Sequence, residues 1–197
     1  MLPPLNLTAF ALLGFGAACS PGPAARGNAS ESGSDTMSAR MTQDTGMGGM
    51  SGMGHTSNPD QQFLRMMSDH HLGILLMAHE AEKKGKAVKA EAQKIDAAQD
   101  AELNKMVAML ETDFDDKYAP KVTPENQAMA EALKQKAGAA YDTTFRENVI
   151  KHHQQALTMI NQFLPKLTRP DLKQMAEKMK ADQTREIAKF KRELRQS

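Results

Sequence analysis

The chain has 197 residues and a formal net charge of +1, from 25 basic and 24 acidic residues. This balance gives no electrostatic argument for nucleic acid or an anionic membrane, and it disfavours both as partners. Aromatic residues make up only 5%, tryptophan is absent, and there are 15 methionines. Because the second half is dominated by helix-favouring residues, we expect one all-α domain with extensions.

The N-terminal segment has the pattern of an export signal. Residues 7–18 form an apolar run too short to span a bilayer but typical of a secretory signal, and small residues close it. The sequence around Cys19 also resembles the lipobox of bacterial lipoproteins, in which the cysteine is lipidated. We therefore predict that residues 1–19 are a signal peptide and favour the lipoprotein type over a plain signal. Export to the periplasm or cell envelope, with a lipid anchor as the membrane attachment, would follow.

Residues 20–59 are rich in Gly, Ser, Pro and Thr and cannot bury a core, so we predict a flexible tether. Its distal sequence, MGGMSGMGH, brings methionines and a histidine close together where there is no core to fill. Thioether sulfur and imidazole can wrap a soft metal ion without prior structure. We expect an auxiliary metal-capture segment formed by Met47, Met50, Met53 and His55.

From Phe63 onward, apolar residues recur at three- and four-residue spacing, which predicts amphipathic helices. Asn58 and Pro59 are a start signal, and Thr123 with Pro124 is a second one. The predicted helices run from about residue 60 to 85, from about 86 to the region of 118, from 124 to 138, from about 142 to 165, and from about 170 nearly to the C-terminus.

An internal repeat relates the two halves of this helical region. A first set of positions recurs after 82 residues and a second set after 84. The 82-residue matches are Phe63, His70, His71, Leu75 and Met77 with Phe145, His152, His153, Leu157 and Met159. The 84-residue matches include Gln99 with Gln183 and Glu102 with Glu186. We predict two helical hairpins packed as a four-helix bundle over residues 60–197, with repeat one at about 60–118, a connection at 119–140 and repeat two at about 141–197.

The repeated histidines stand beside methionines on a helical face. One turn separates Met66 from His70, and one turn also separates Met67 from His71, so two Met–His pairs lie on neighbouring faces. Thioether sulfur selects Cu(I) and Ag(I), and imidazole accepts both copper oxidation states. The primary candidate ligands are Met66, Met67, His70, His71 and Met77. A second site, or the completion of one shared site, is expected from His152, His153 and Met159.

Other interpretations weigh less. Methionine on a helix is more often flexible core filler than a ligand, but the duplicated His-His-x5-Met pattern favours metal binding. Calcium and magnesium need oxygen clusters, whereas zinc remains open through histidine alone. A di-iron oxidase would need Glu-x-x-His motifs, and the sequence contains none. A non-metal structural or interaction bundle is the competing alternative, and we do not expect an enzyme.

The Phe63-x6-His70-His71-x5-Met77 pattern, its copy from Phe145 and the Gln-x-x-Glu segments resemble the domain of unknown function 305 family over about residues 60–195. The resemblance implies an exported bacterial protein with a ferritin-like four-helix bundle, and some members are implicated in copper binding and resistance through Met and His. The departures at Asn148, Val149 and Ile160 predict that soft-metal preference is strongest in the first copy. We thus expect a protein that sequesters copper or hands it over in the cell envelope, with Cu(I) favoured, Cu(II) allowed and Ag(I) as a mimic. Copper ions and other copper-handling envelope proteins are its expected partners.

Overall fold

The computed structural model describes residues 56–196, and within them the secondary structure is entirely α-helical. The chain forms an all-α helical bundle, as its composition predicts. The helices are α1 (Pro59–Lys84), α2 (Lys89–Phe114), α3 (Pro124–Lys134), α4 (Gly138–Phe163) and α5 (Pro170–Leu194).

Local chemistry explains where α1 begins and ends. The Asn58 side chain accepts hydrogen bonds from the Asp60 and Gln61 N–H groups, and Pro59 occupies the first helical position. At the other end, the Gly85 N–H donates to the Ala81 carbonyl oxygen over 2.8 Å. The start signal at Asn58 therefore acts as the sequence predicts. Thr123 caps α3 in the same way, accepting from the Asn126 N–H.

Three helix boundaries differ from the expected ones. The third helix ends at Lys134, not at 138, because the Lys136 N–H closes a tight turn onto the Leu133 carbonyl oxygen and the next helix already begins at Gly138. The second helix ends at Phe114 because Asp115 takes a left-handed φ of 49°, and the Asp116 carboxylate then accepts from the Arg65 side chain. The fourth helix begins at Gly138, upstream of Asp142. The Asp142 carboxylate does not cap this helix because it accepts hydrogen bonds from the N–H groups of residues 86 and 87, which connect α1 to α2.

The contacts between helices define two packed pairs and a short helix that bridges them. Helix α1 packs along α2, α4 packs along α5, and α1 and α4 contact each other. Helix α3 lies across α1 and α4. It approaches α1 at Gly73, where a Cβ atom would lie 2.0 Å from the Asn126 amide nitrogen. A glycine at this point is what allows α3 to lie this close.

The bundle interior consists of two apolar clusters separated by a polar layer. On α1, one cluster ends at Met67 and the other begins at Ile74. On α4, the order is reversed, since Val149 belongs to the cluster of Ile74, and Ala156 belongs to that of Met67. Helices α1 and α4 are therefore antiparallel, and their histidine pairs fall at the same level.

Ion pairs join α2 to α5 along the surface. Glu91 contacts Lys189 at 3.1 Å, and Glu102 contacts Lys178 at 3.7 Å. Asp113 near the end of α2 pairs with Arg169, which precedes α5. The order of these contacts makes α2 and α5 antiparallel. Among the described helices, none has the length and apolar character needed to cross a membrane.

Candidate metal site in a buried histidine layer

The polar layer between the two clusters draws side chains from the four long helices. Its histidines are His70 and His71 from α1 and His152 and His153 from α4, with relative exposures of 7%, 0%, 0% and 0%. Helices α2 and α5 contribute Gln99 and Gln183, which are also buried. The 82-residue repeat thus brings both predicted histidine pairs together at one place in the bundle.

His70 and His152 form a reciprocal pair at the centre of the layer. The Nε2 of His70 lies 3.1 Å from the His152 carbonyl oxygen, and the Nε2 of His152 lies 3.0 Å from the His70 carbonyl oxygen. The two rings stack with their centroids 3.6 Å apart. A carbonyl oxygen only accepts, so both Nε2 atoms carry the hydrogen.

The outer two histidines each contact a glutamate. His71 Nε2 lies 3.0 Å from a Glu102 carboxylate oxygen, and His153 Nε2 lies 2.7 Å from a Glu186 carboxylate oxygen. An ionised carboxylate only accepts, so these Nε2 atoms also donate. Each glutamate is partly exposed while its histidine is fully buried. The carboxylates therefore connect the buried layer to the protein surface.

The Nδ1 atoms of all four histidines have no hydrogen-bond partner. With Nε2–H donated, Nδ1 of a neutral imidazole keeps a free lone pair. Histidines that bind metals commonly donate their other N–H to a carboxylate or a backbone carbonyl, which fixes the ring and its tautomer. The amide oxygens of Gln99 and Gln183 are also unpartnered. The layer therefore has the hydrogen bonding of metal-ligating histidines and leaves its nitrogen ligand atoms unused.

These nitrogen atoms do not form a ready-made cage. Within residues 56–196, no three His, Cys, Asp or Glu side chains converge in a way that could hold a metal ion. A metal bound in this region would have to draw on methionine sulfur or on a rearrangement of the imidazoles.

The methionines are concentrated on one side of the layer. Met66 and Met67 pack there, and so does the partly buried Met159 from the second repeat. Met77 lies in the opposite cluster, which also contains Val149. Because α1 and α4 are antiparallel, the structure groups Met159 with Met66 and Met67. Met77 is separated from these two because it lies further along α1, beyond the histidines. Other methionines that join the Met66 cluster are Met106, Met109, Met175 and Met179.

Burial keeps the central imidazoles uncharged. Desolvation holds the pKa of His70 well below its usual value, and the neighbouring His71 and His153 lower it further. Desolvation acts in the same direction on the pKa of His152, together with the surrounding histidines. A neutral imidazole is the form that binds a metal. His70 and His152 therefore do not depend on high pH to present a free ring nitrogen.

The remaining predicted site residues lie elsewhere. Cys19 and the capture segment of Met47, Met50, Met53 and His55 are outside the described residues. His79 is exposed and contacts Asp96 at 2.8 Å, apart from the layer.

Sequence reasoning found the Gln-x-x-Glu repeat but gave its residues no role in the site. The structure places Gln99 and Gln183 in the layer and pairs Glu102 and Glu186 with His71 and His153. The signal was present, because the glutamates repeat with nearly the same period as the histidines. What the repeat did not reveal is which helix faces would meet.

The fold and the layer define an all-α bundle with a buried histidine and methionine interior. The chain belongs to the family described as "Domain of unknown function (DUF305)", whose model matches residues 20–110 and 60–194. No curated protein matches it.

Solved structures share this fold. A DUF305 fragment from Deinococcus radiodurans is similar with a TM-score of 0.64 and 22% identity, over 73% of this chain and 100% of that one. CopM in its Cu(II)-bound form is similar with a TM-score of 0.60 and 25% identity, over 70% of this chain and 96% of that one. CopM in its Cu(I)-bound form gives 0.59 over the same shares at the same identity.

Proposed function

We propose that this protein is an exported copper-binding protein that sequesters copper or hands it over in the cell envelope, with Cu(I) preferred. The observation that carries the proposal is the buried layer of four histidines with free Nδ1 atoms next to a methionine-rich cluster. Similarity to CopM, whose structure has been solved in a Cu(I)-bound and in a Cu(II)-bound form, supports copper over other soft metals.

Within this proposal the ligands come from both repeats. Met66, Met67 and Met159 supply thioethers on one side of the layer, and the four histidines supply nitrogen. Met77 would act only from the opposite cluster. Thioether sulfur favours Cu(I), while imidazole keeps Cu(II) accessible. The capture segment at Met47–His55 would take up copper first, and Cys19 would carry the lipid anchor.

We also propose that the bundle has the ferritin-like arrangement of two repeated hairpins, with α3 as the crossover helix. The packing of α1 with α2 and of α4 with α5 supports it. The protein would bind copper without catalysing a reaction, and its partners would be copper ions and other copper-handling proteins of the envelope.

A second candidate function is a structural or interaction bundle that binds no metal. It is favoured by the reciprocal hydrogen bonds between His70 and His152, which are enough to explain why two imidazoles are buried there. This alternative leaves the free Nδ1 atoms and the sulfur-rich cluster without a role.

A Cu(I) titration under reducing conditions, against a competing chelator, separates the two. We expect His70→Ala/His71→Ala to lower the stoichiometry or affinity, and Met47→Leu/Met50→Leu/Met53→Leu/His55→Ala to remove the auxiliary binding. His79→Ala is the matched control, because that imidazole lies outside the layer. Copper should also raise the melting temperature by mass action. Identical binding in all the variants would contradict the ligand assignment, and no binding by the wild type would support the structural alternative.

A further inference from the structure

The buried layer raises the question of how an ion reaches it, since none of its imidazoles is more than 7% exposed. A groove of about 590 Å³ lies between α2 and α5. Its wall includes Glu102 from α2 and Met175 and Lys178 from α5. Glu102 connects the groove to the histidine layer, and Met175 connects it to the methionine-rich cluster. Lys178 places a positive charge at its mouth.

Glu102 joins the groove to the histidine layer directly. One of its carboxylate oxygens lies 3.0 Å from His71 Nε2, and the other lies 3.7 Å from the Lys178 ammonium. A single carboxylate thus contacts the buried imidazole on one side and the groove on the other.

Met175 joins the groove to the sulfur-rich cluster. Its side chain lines the groove, yet the residue is only 8% exposed and packs in the cluster that contains Met66 and Met67. A soft cation in the groove would therefore meet a thioether at the point where the groove meets the core.

Lys178 places a positive charge at the mouth of the groove. Its side chain is 68% exposed, and it is held by Asp182 at 2.6 Å as well as by Glu102. A cation approaching Glu102 meets the repulsion of this ammonium and must compete with it for the carboxylate. Lys178 is thus placed to restrain the passage of a cation in both directions.

We infer that the groove between α2 and α5 is the route by which a soft monovalent cation, Cu(I) or Ag(I), passes between solvent and the methionine–histidine layer, with Glu102 and Met175 as transient ligands and Lys178 as the restraint. This inference rests on the proposed function. Each step exchanges one ligand bond for another at the ion. The ion keeps its charge, so no electron or proton has to be supplied.

The test measures rates and equilibrium binding in the full chain. Uptake is followed by stopped-flow mixing with Ag(I) nitrate, using the change in tyrosine fluorescence. Release is followed as transfer of bound Cu(I) to excess bicinchoninate. Lys178→Gln should raise both rates about fourfold at low salt, the factor expected from one unit charge about 5 Å from the path in water. That gain should shrink as the salt concentration rises.

Met175→Leu conserves volume and should slow both rates several-fold while leaving stoichiometry and affinity unchanged. The matched controls are Lys94→Gln, an exposed lysine at the repeat-equivalent position on α2, and Met109→Leu, a methionine packed on the same cluster outside the groove lining. Both controls should keep the wild-type rates.

Unchanged rates in Lys178→Gln and Met175→Leu, with normal stoichiometry, would overturn the route and leave the copper proposal standing. Loss of stoichiometry in Met175→Leu would also overturn it, because the residue would then be a resident ligand. If the wild type bound neither Cu(I) nor Ag(I), the proposed function itself would fail, and the inference would fail with it.

Discussion

His70 and His152 each donate Nε2–H to the other's backbone carbonyl oxygen, at 3.1 and 3.0 Å, while their rings stack. This exchange fixes both tautomers and leaves the Nδ1 lone pair of each ring free. It also makes the stability of the bundle depend on the protonation of these two groups.

The metal-free protein should lose stability as the pH falls below about 6.5. Burial lowers the pKa of His70 and of His152 in the folded state, so between that pKa and the unfolded value the unfolded chain binds more protons. The free energy of unfolding should then decrease by about 1.4 kcal/mol per pH unit for each group. Urea unfolding between about pH 7.5 and 4.5 measures this slope. His152→Gln should make the slope shallower, whereas His79→Gln should not, and equal slopes in all three proteins would contradict the assignment.

Gly73→Ala should destabilise the bundle by about 1–3 kcal/mol, because the new Cβ would overlap the Asn126 side chain and push α3 from α1. Thermal and urea unfolding of the single and double variants measure the effect. Adding Asn126→Ala should recover part of the loss, since it removes the two closest atoms. Strictly additive costs would show that the two residues do not collide.

Met66→Leu/Met67→Leu should weaken Cu(I) binding by about tenfold or more, equivalent to about 1.4 kcal/mol, and should affect Cu(II) less. The reason is that the substitution removes soft sulfur and keeps the packing volume. Chelator competition with each ion gives the two affinities. Met129→Leu is the control, because that methionine lies in the opposite cluster. An equal loss for Cu(I) and Cu(II) would argue against thioether ligation.

Glu186→Gln should lower copper affinity about 10- to 100-fold, the usual effect of removing a carboxylate that orients a metal-ligating histidine. Its side chain accepts the His153 Nε2–H at 2.7 Å, so the loss of charge makes the imidazole a poorer ligand. Glu177→Gln, an exposed change on the same helix, should have no effect. Wild-type affinity in Glu186→Gln would indicate that His153 is not a ligand.

Much of the fold was predictable from local chemistry and from the repeat. Asn58 and Thr123 cap helices as expected, because capping depends on residues close in sequence. The 82-residue repeat predicted two equivalent histidine pairs, and they meet in the structure. The start of α4 was missed because Asp142 bonds to the α1–α2 connection, a contact that only the tertiary structure creates.

The composition of the site was predictable in its residue types but not in its grouping. On the helical wheel, Met66 and Met77 share one face of α1. In the bundle, the histidine layer lies between them. The reason is that a helical wheel ignores the rise along the axis, about 1.5 Å per residue, which carries Met77 past the histidines of the same helix. The antiparallel packing of α1 and α4 explains why Met159 joins Met66 and not Met77. Likewise, the contacts of Glu102 and Glu186 with histidines depend on helix packing that no local pattern specifies.

The reciprocal exchange at the centre has a consequence for how the chain assembles. Each hairpin supplies the acceptor for the other's imidazole N–H, and each contributes only part of either apolar cluster. A hairpin alone would expose both clusters and leave its central donor and carbonyl to water. We therefore expect the two halves to fold as one cooperative unit, because neither half is stable until the histidine layer has formed.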